Sequence, residues 1–362
     1  MATLARGFAD ELSKDTDITV YARNDGNDYR AHYPIRRVLT DNLRNDRTTL
    51  AREPVDAWLA LNGGLIPIVR HLDKPFFVYL HGSDFLNPWI SYGSAWMEAV
   101  KRPYMAVVRK SLRRASLRRH IWAVRHFFVN SARTAELAVK TMGIDQSRIS
   151  ICPPGVDDRF FQDRKPVVEL RDNDSIRLLT VTRLTQHSAR KNVDGVLEAI
   201  SAVAREFDIS YTVVGDGDDR ARLEVLASEL GIAERVRFAG RLCNTELLEC
   251  YRGADLFILA AKATNRDIEG FGIVYMEASA SGVPVICSRA GGAIDAVSEG
   301  ANGLLIPDSS PSAIADGIRK FAAERHLLTP ARARAVAERY RWEHVTADLR
   351  ERLLDELGAT QA

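Results

Sequence analysis

Two glutamates, Glu269 and Glu277, stand with seven residues between them in DIEGFGIVYMEASASGVPVICSRAGG, residues 267–292. A Gly-Phe-Gly turn follows the first directly, the second lies within a helical run, and Gly-Val-Pro at 282–284 turns the chain into a strand. A turn that opens a helix presents backbone N–H groups and suits an anion. A carboxylate on that helix can accept the hydroxyl protons of a ribose diol. The residues alone also allow a solvated or network carboxylate at Glu277. Arg183 ends the run IRLLTVTR and Lys191 opens a helix. Fixed cations at such positions would stabilise a nucleoside diphosphate that gains negative charge as it departs, without a metal. By themselves they could equally be surface cations. His81 follows PFFVYL, at the carboxyl end of a strand, where α/β proteins meet their ligands; a lone histidine is also often structural.

Elements must bring these residues together. Runs rich in β-branched and aromatic residues at 17–22, 56–61, 75–82, 126–131 and 148–153 alternate with helical periods, the βαβ rhythm of a parallel sheet. The rhythm restarts after DRKPVVELRDNDS (163–175), with strands expected at 176–183, 209–216, 235–240, 254–260, 284–288 and 303–307. The 362 residues suffice for about two full-sized domains. We therefore expect two doubly wound α/β lobes, 1–160 and 176–338, facing a cleft, with a final segment at 339–362. In that segment Trp342, Val345, Leu349, Leu353 and Leu354 form a packing stripe. The chain begins with a helix, Leu4, Ala5, Phe8 and Leu12 on one face, and no strand precedes it. An open α/β sheet normally starts with a central strand, so a gap in the first sheet is expected.

Several classes are excluded. Hydrophobic residues make up 46% and charged residues 27%, which fits neither a disordered chain nor a membrane bundle. No apolar run reaches the ~20 residues of a membrane span and no signal-peptide core follows Met1, so a cytoplasmic location is expected. Cys152, Cys243, Cys250 and Cys287 lack metal or disulfide spacing and are expected to be buried thiols. Asp216-Gly217-Asp218 has the form of a metal-binding DxD, but it ends a strand and opens a helix, so turn and cap roles are expected. Gly215 and Gly217 begin a dinucleotide fingerprint, yet Arg220 stands where its third glycine belongs. The net charge of +2 divides into +7 over residues 1–160 and −5 over the remainder. Residues 101–126 carry nine Lys/Arg, including Arg109, Lys110, Arg113, Arg114, Arg118 and Arg119, and no Asp/Glu. Either a solvated helix or a patch for an anionic membrane surface or phosphate-bearing acceptor follows. Nucleic acid is not expected, because the second half is acidic and no recognition motif is present.

With these motifs the chain resembles the GT-B retaining glycosyltransferases of group 4, which include phosphatidylinositol mannosyltransferases and bacterial cell-surface sugar transferases. The resemblance runs through HGSDF (81–85), FVNSARTAELAVKTMGI (128–144), ISICPPGVD (149–157), RKNVDGVLEAI (190–200), VVGDGDD (213–219), VRFAGRL (236–242), the two-glutamate block and GGAIDAVSEGANGLLIP (291–307). It implies that Glu269 contacts the donor sugar, that Glu277 holds the nucleotide ribose, and that the Phe271, Gly272 and Ile273 backbone lies against sugar and diphosphate. It further implies donor-binding positions at Gly215 and Arg241, phosphate-binding roles for Arg183 and Lys191, and a place for His81 near the reacting end of the sugar. The segment from Arg183 to Lys191 is longer than is usual in the family, and Arg190 adjoins Lys191, so both side chains stay candidates for the diphosphate. The implied reaction moves a hexose, with retention, from a nucleotide-diphosphate sugar to a hydroxyl of a glycan, lipid-linked or small-molecule acceptor. The departing diphosphate serves as base, and no metal or other cofactor is expected. DIEG at 267–270 points to the mannosyltransferase branch and GDP-mannose. The resemblance also implies a first strand and Gly-Gly loop ahead of the opening helix, so a truncated start is expected. A silent nucleotide-sugar-binding subunit and a GT-B epimerase are the alternatives.

Overall fold

In the computed structural model the described residues are 2–23, 31–40, 42–81, 115, 118–162, 175–262 and 269–361. The chain forms two compact units, Met1–Gly155 together with Trp342–Ala362, and Val156–Arg341. The first boundary lies ahead of the expected linker because Phe160, 5% exposed, packs edge-on against Tyr251 of the second unit's core.

In the first unit, helix α1 (Ala2–Leu12) buries Phe8 and Leu12, as its apolar stripe requires. The Phe8 ring meets Tyr79 edge-on at 4.9 Å. Strands β1 (Val20–Arg23) and β2 (Ile35–Leu39) form a two-stranded parallel sheet, followed by helix α2 (Leu43–Leu50). A second parallel sheet has the order β3 (Trp58–Ala60), β4 (Phe76–Leu80), β5 (His126–Val129), β6 (Ile149–Ile151). Helix α3 (Ala132–Met142) links its last two strands, capped by Ser131 Oγ, which accepts from the Thr134 N–H at 3.1 Å. All residues of β4 and β5 are buried, the condition of inner strands covered on both faces. The first unit's described strands therefore fall into two sheets, and the Tyr21 and Trp58 rings, 5.2 Å apart, join β1 to β3 by side chains.

The second unit contains one six-stranded parallel sheet. Its strands are β7 (Ser175–Val181), β8 (Asp208–Val214), β9 (Val236–Gly240), β10 (Leu256–Leu259), β11 (Val285–Ser288) and β12 (Gly303–Ile306), in the order β12-β11-β10-β7-β8-β9. The helices are α4 (Val193–Val203), α5 (Arg220–Glu229), α6 (Asn244–Gly253), α7 (Ile273–Ala280), α8 (Pro311–Glu324) and α9 (Pro330–Ala337). Alternation along each strand divides the core. Leu178 and Ile258 pack on one face with Leu197, Ile200 and Phe321; Leu179, Phe257 and Leu259 pack on the other with Tyr275 and Met276. Each such side chain, fully buried, contributes roughly 1.5–3 kcal/mol. Strand order reverses between β7 and β10, and in a doubly wound sheet the crevice beyond the carboxyl ends of those two strands receives the ligand.

Helices α10 (Trp342–Val345) and α11 (Ala347–Gln361) belong to the first unit. Leu349 is fully buried there, and the Cys152 thiol donates to the Val345 carbonyl at 3.0 Å. The expected stripe ends early, for Leu354 is 44% exposed. The cysteines also divide: Cys152 and Cys287 are buried and Cys250 half-buried, whereas Cys243 is exposed at the start of α6. No described helix is long and apolar enough to cross a membrane.

Candidate active site

Three charged side chains meet beyond β7 and β10. Glu269 Oε2 accepts a hydrogen bond from Arg190 Nη1 at 3.0 Å and another, charge-assisted, from Lys191 Nζ. The Glu269 side chain is 10% exposed. Burial raises its carboxyl group, and the Lys191 and Arg190 charges more than reverse that, holding it below its ordinary value. Backbone bonds fix the frame. The Lys262 N–H donates to the Arg190 carbonyl at 2.7 Å, and Asn192 Nδ2 donates to the Ala260 carbonyl at 3.0 Å and the Ser309 carbonyl at 2.8 Å. The turn Gln186–Lys191 is thus riveted to the end of β10.

Arg183 follows β7 and is exposed, with no hydrogen bond or ion pair to any described residue. Its loop is set by β8's exit, where Leu184 N donates to Asp216 O at 3.0 Å and Asp219 N to Leu184 O at 2.9 Å. Gly215 makes this approach possible: its φ is +136°, and a Cβ there would lie 1.7 Å from the Thr182 carbonyl oxygen. Gly215 therefore shapes the loop that carries Arg183. Asp218 accepts from the Gln186 N–H at 2.9 Å, a turn role. Asp219 starts α5 without capping it through its side chain; its carboxylate instead holds Arg222.

Beyond β10, Phe271 is 2% exposed and its side chain is spent on the core. Gly272, at φ +79°, is the left-handed residue from which α7 starts at Ile273. A Cβ on it would meet the Tyr275 ring at 2.5 Å, so glycine is required for the turn. On α7 Glu277 accepts a hydrogen bond from the Tyr251 hydroxyl at 2.9 Å. Burial pushes its carboxyl above the ordinary value, against the Tyr251 hydrogen bond and the Arg159 charge. Tyr251 and Arg159 were not legible as site residues: one reads as an apolar position of α6, the other as a linker cation. Arg241 is exposed after β9, and among the described residues no hydrogen bond or ion pair ties it to either glutamate.

In the first unit His81 lies at the end of β4. Its Nε2–H donates to the Leu61 carbonyl at 2.8 Å, and Asn130 Nδ2 donates to its carbonyl at 3.2 Å. The strand end and the imidazole orientation are both fixed by these bonds. Of the basic residues, Arg118 caps the end of α3 through the Thr141 carbonyl, with Nε at 2.9 Å, and Arg119 is exposed. Arg109, Lys110, Arg113 and Arg114 lie outside the described residues.

The architecture defines a GT-B protein with a charged site at the switch point of its second sheet. The family model for glycosyl transferases group 1 matches residues 161–342 and that for glycosyltransferase family 4 residues 1–160, and the chain belongs to the group 1 family. It is 33% identical over 205 residues to a GDP-mannose-dependent alpha-(1-6)-phosphatidylinositol monomannoside mannosyltransferase of Mycobacterium tuberculosis, covering 54% of this chain and 53% of that one. It is 34% identical over 234 residues to a D-inositol 3-phosphate glycosyltransferase of Geodermatophilus obscurus, covering 61% and 50%. The chain thus spans about half the length of these relatives. Among solved structures, Anabaena HepE in complex with UDP superposes with a TM-score of 0.75 at 19% identity, over 97% of this chain and 96% of that one.

Proposed function

We propose that this chain is a retaining hexosyltransferase that takes mannose from GDP-mannose and gives it to a hydroxyl of a glycan, lipid-linked or small-molecule acceptor. The observation that carries this reading is the meeting of Glu269, Arg190 and Lys191, with Arg183 beyond the neighbouring strand, at the switch point of the second sheet. Glu269 would accept hydroxyl protons of the sugar, and Glu277 those of the ribose. The backbone from Phe271 to Ile273 would face the diphosphate. As the glycosidic bond lengthens, charge grows on the bridging oxygen, and Arg183 and Lys191 would hold it in place of a metal. In this reading the acceptor hydroxyl attacks from the same face, its proton passes to the departing diphosphate, and His81 is the first unit's candidate for contact with the sugar. The mannose preference draws on the named activity of the mycobacterial relative. For the first unit we propose attachment to an anionic membrane surface on its cytoplasmic side, supported by Trp122, 71% exposed and three positions after the exposed Arg119.

The test is a thermal-shift panel of GDP-, UDP- and ADP-sugars on the wild type and Glu277→Ala. At 100 times its dissociation constant a ligand adds ~2.7 kcal/mol. GDP-mannose should raise the melting temperature of the wild type only. A shift with another nucleotide replaces the donor, and no shift with any removes the transferase reading.

A further inference from the structure

Glu269 is served by two cations on one oxygen. Arg190 and Lys191 both reach Oε2, while no described residue donates to Oε1. The side chains of the three are 10%, 14% and 17% exposed for Glu269, Arg190 and Lys191. A carboxylate so buried must keep a counterion, since leaving one unpaired is strongly unfavourable. The two cations differ in kind. Arg190 carries a planar fork, and its main chain is tied to Lys262 at the end of β10. Lys191 ends in a compact ammonium on a flexible stem, able to swing between anions.

We propose that Arg190 is a positioning residue that keeps Glu269 charged and oriented while Lys191 transfers from the carboxylate to the donor's diphosphate. This rests on the reading given under Proposed function. With Lys191 as the only counterion, diphosphate binding would strip Glu269 of its partner when the sugar needs that carboxylate. With Arg190 in place, Oε2 stays held and Oε1 stays directed to a hydroxyl. The other groups facing Glu269 cannot substitute. Tyr275 on α7 and Cys287 on β11 lie close enough to feel its charge, and burial keeps both protonated, Cys287 being pushed up to about 12.

The experiment compares wild type, Arg190→Gln and Arg190→Lys in three readouts. These are GDP affinity by calorimetry, the pH profile of kcat with GDP-mannose, and thermal stability from pH 3 to 8, the last repeated on Glu269→Gln and on the double variant. In Arg190→Gln we expect GDP affinity within about twofold of wild type and kcat down by about tenfold or more. Its acid limb should move to higher pH, because one of the two cations that hold the carboxyl down against burial is gone. Arg190→Lys should return the acid limb toward the wild-type position. In the stability series the effect of Arg190→Gln should be clearly smaller once Glu269 is Gln. A GDP affinity lowered about tenfold with the acid limb unmoved would make Arg190 a diphosphate ligand and overturn the proposal. So would an effect of Arg190→Gln on stability that persists unchanged in Glu269→Gln. If wild type binds no nucleotide sugar, the functional reading fails, and the ligand-free stability series still decides whether Arg190 sets the charge of Glu269.

Discussion

Glu269 and Glu277 differ in what surrounds them, and their acidities are driven apart. Glu269 lies below its ordinary value, so its stabilisation is present above the unfolded carboxyl pKa and is lost as pH falls through the folded one. Glu277 lies above its ordinary value, so its contribution is present below the unfolded pKa and is lost as pH rises through the folded one. Opposite outcomes follow for the two amides. Glu269→Gln should destabilise the protein at pH 8 by ~3–5 kcal/mol, since two cations lose their partner, and converge with wild type in acid. Glu277→Gln keeps an acceptor for the Tyr251 hydroxyl and sheds a buried charge. It should therefore melt above wild type at pH 8, by about 1.4 kcal/mol for each unit of the shift, and match it at pH 3. It should also bind nucleotide more weakly, because a carboxylate accepts ribose hydroxyls better than an amide does. Urea melts at the two pH values, with a GDP titration, check both. A carboxylate retained at a cost to stability would mark Glu277 as kept for binding.

At the scale of elements, the loops after β7 and β8 act as one piece, because Gly215 lets them touch. Gly215→Ala should lower stability by ~1–3 kcal/mol, the usual cost of backbone strain, and weaken GDP binding by displacing Arg183. A melting curve and a calorimetric titration test this, and unchanged GDP affinity would separate the loop from the site. The second unit's strands were legible in sequence because each is a short apolar run between turn residues; IRLLTVTR, for example, contains β7. The helix carrying Glu277 was legible too, from the glycine turn ahead of it. Strand β2 was not, because IRRVL sets two arginines in a short run, and Arg36 is paired with Glu53 from beyond α2, at 2.7 Å. The Tyr251–Glu277 bond and the sharing of Glu269 by two cations were hidden for the same reason. They join residues 26 and 79 positions apart, and only the sheet order brings those together. In the first unit the break in the sheet has its own consequence. A two-stranded sheet is marginal unless packed on other elements. Amide exchange should therefore be faster in β1 and β2 than in the fully buried β4 and β5, and equal protection would show that side-chain packing across the break suffices.

For the whole molecule, the first unit, residues 1–155 with 342–362, carries +5 and the second, residues 156–341, carries −3, which bears on how each meets a charged surface. An anionic membrane would attract the first unit and repel the second. Each basic residue near such a surface adds about 1 kcal/mol, and the attraction falls off over a Debye length of about 8 Å at physiological salt. Trp122 adds a second term. It is 71% exposed, and an indole of that kind gains by entering the boundary between lipid headgroups and acyl chains. The two terms respond differently to conditions, which makes them separable in one flotation assay. Wild type should float with vesicles containing phosphatidylglycerol at low salt, and should stay in solution with phosphatidylcholine alone or at 1 M salt, where the Debye length shrinks to about 3 Å. Trp122→Ser should bind the anionic vesicles more weakly while keeping the salt dependence, because it removes apolar contact and no charge. Reversing Arg119 to Glu should weaken binding at low salt only. Flotation indifferent to lipid charge and salt would assign the basic residues to the protein's own solvated surface, or to a phosphate-bearing acceptor, which competition by that acceptor's phosphate group would then reveal.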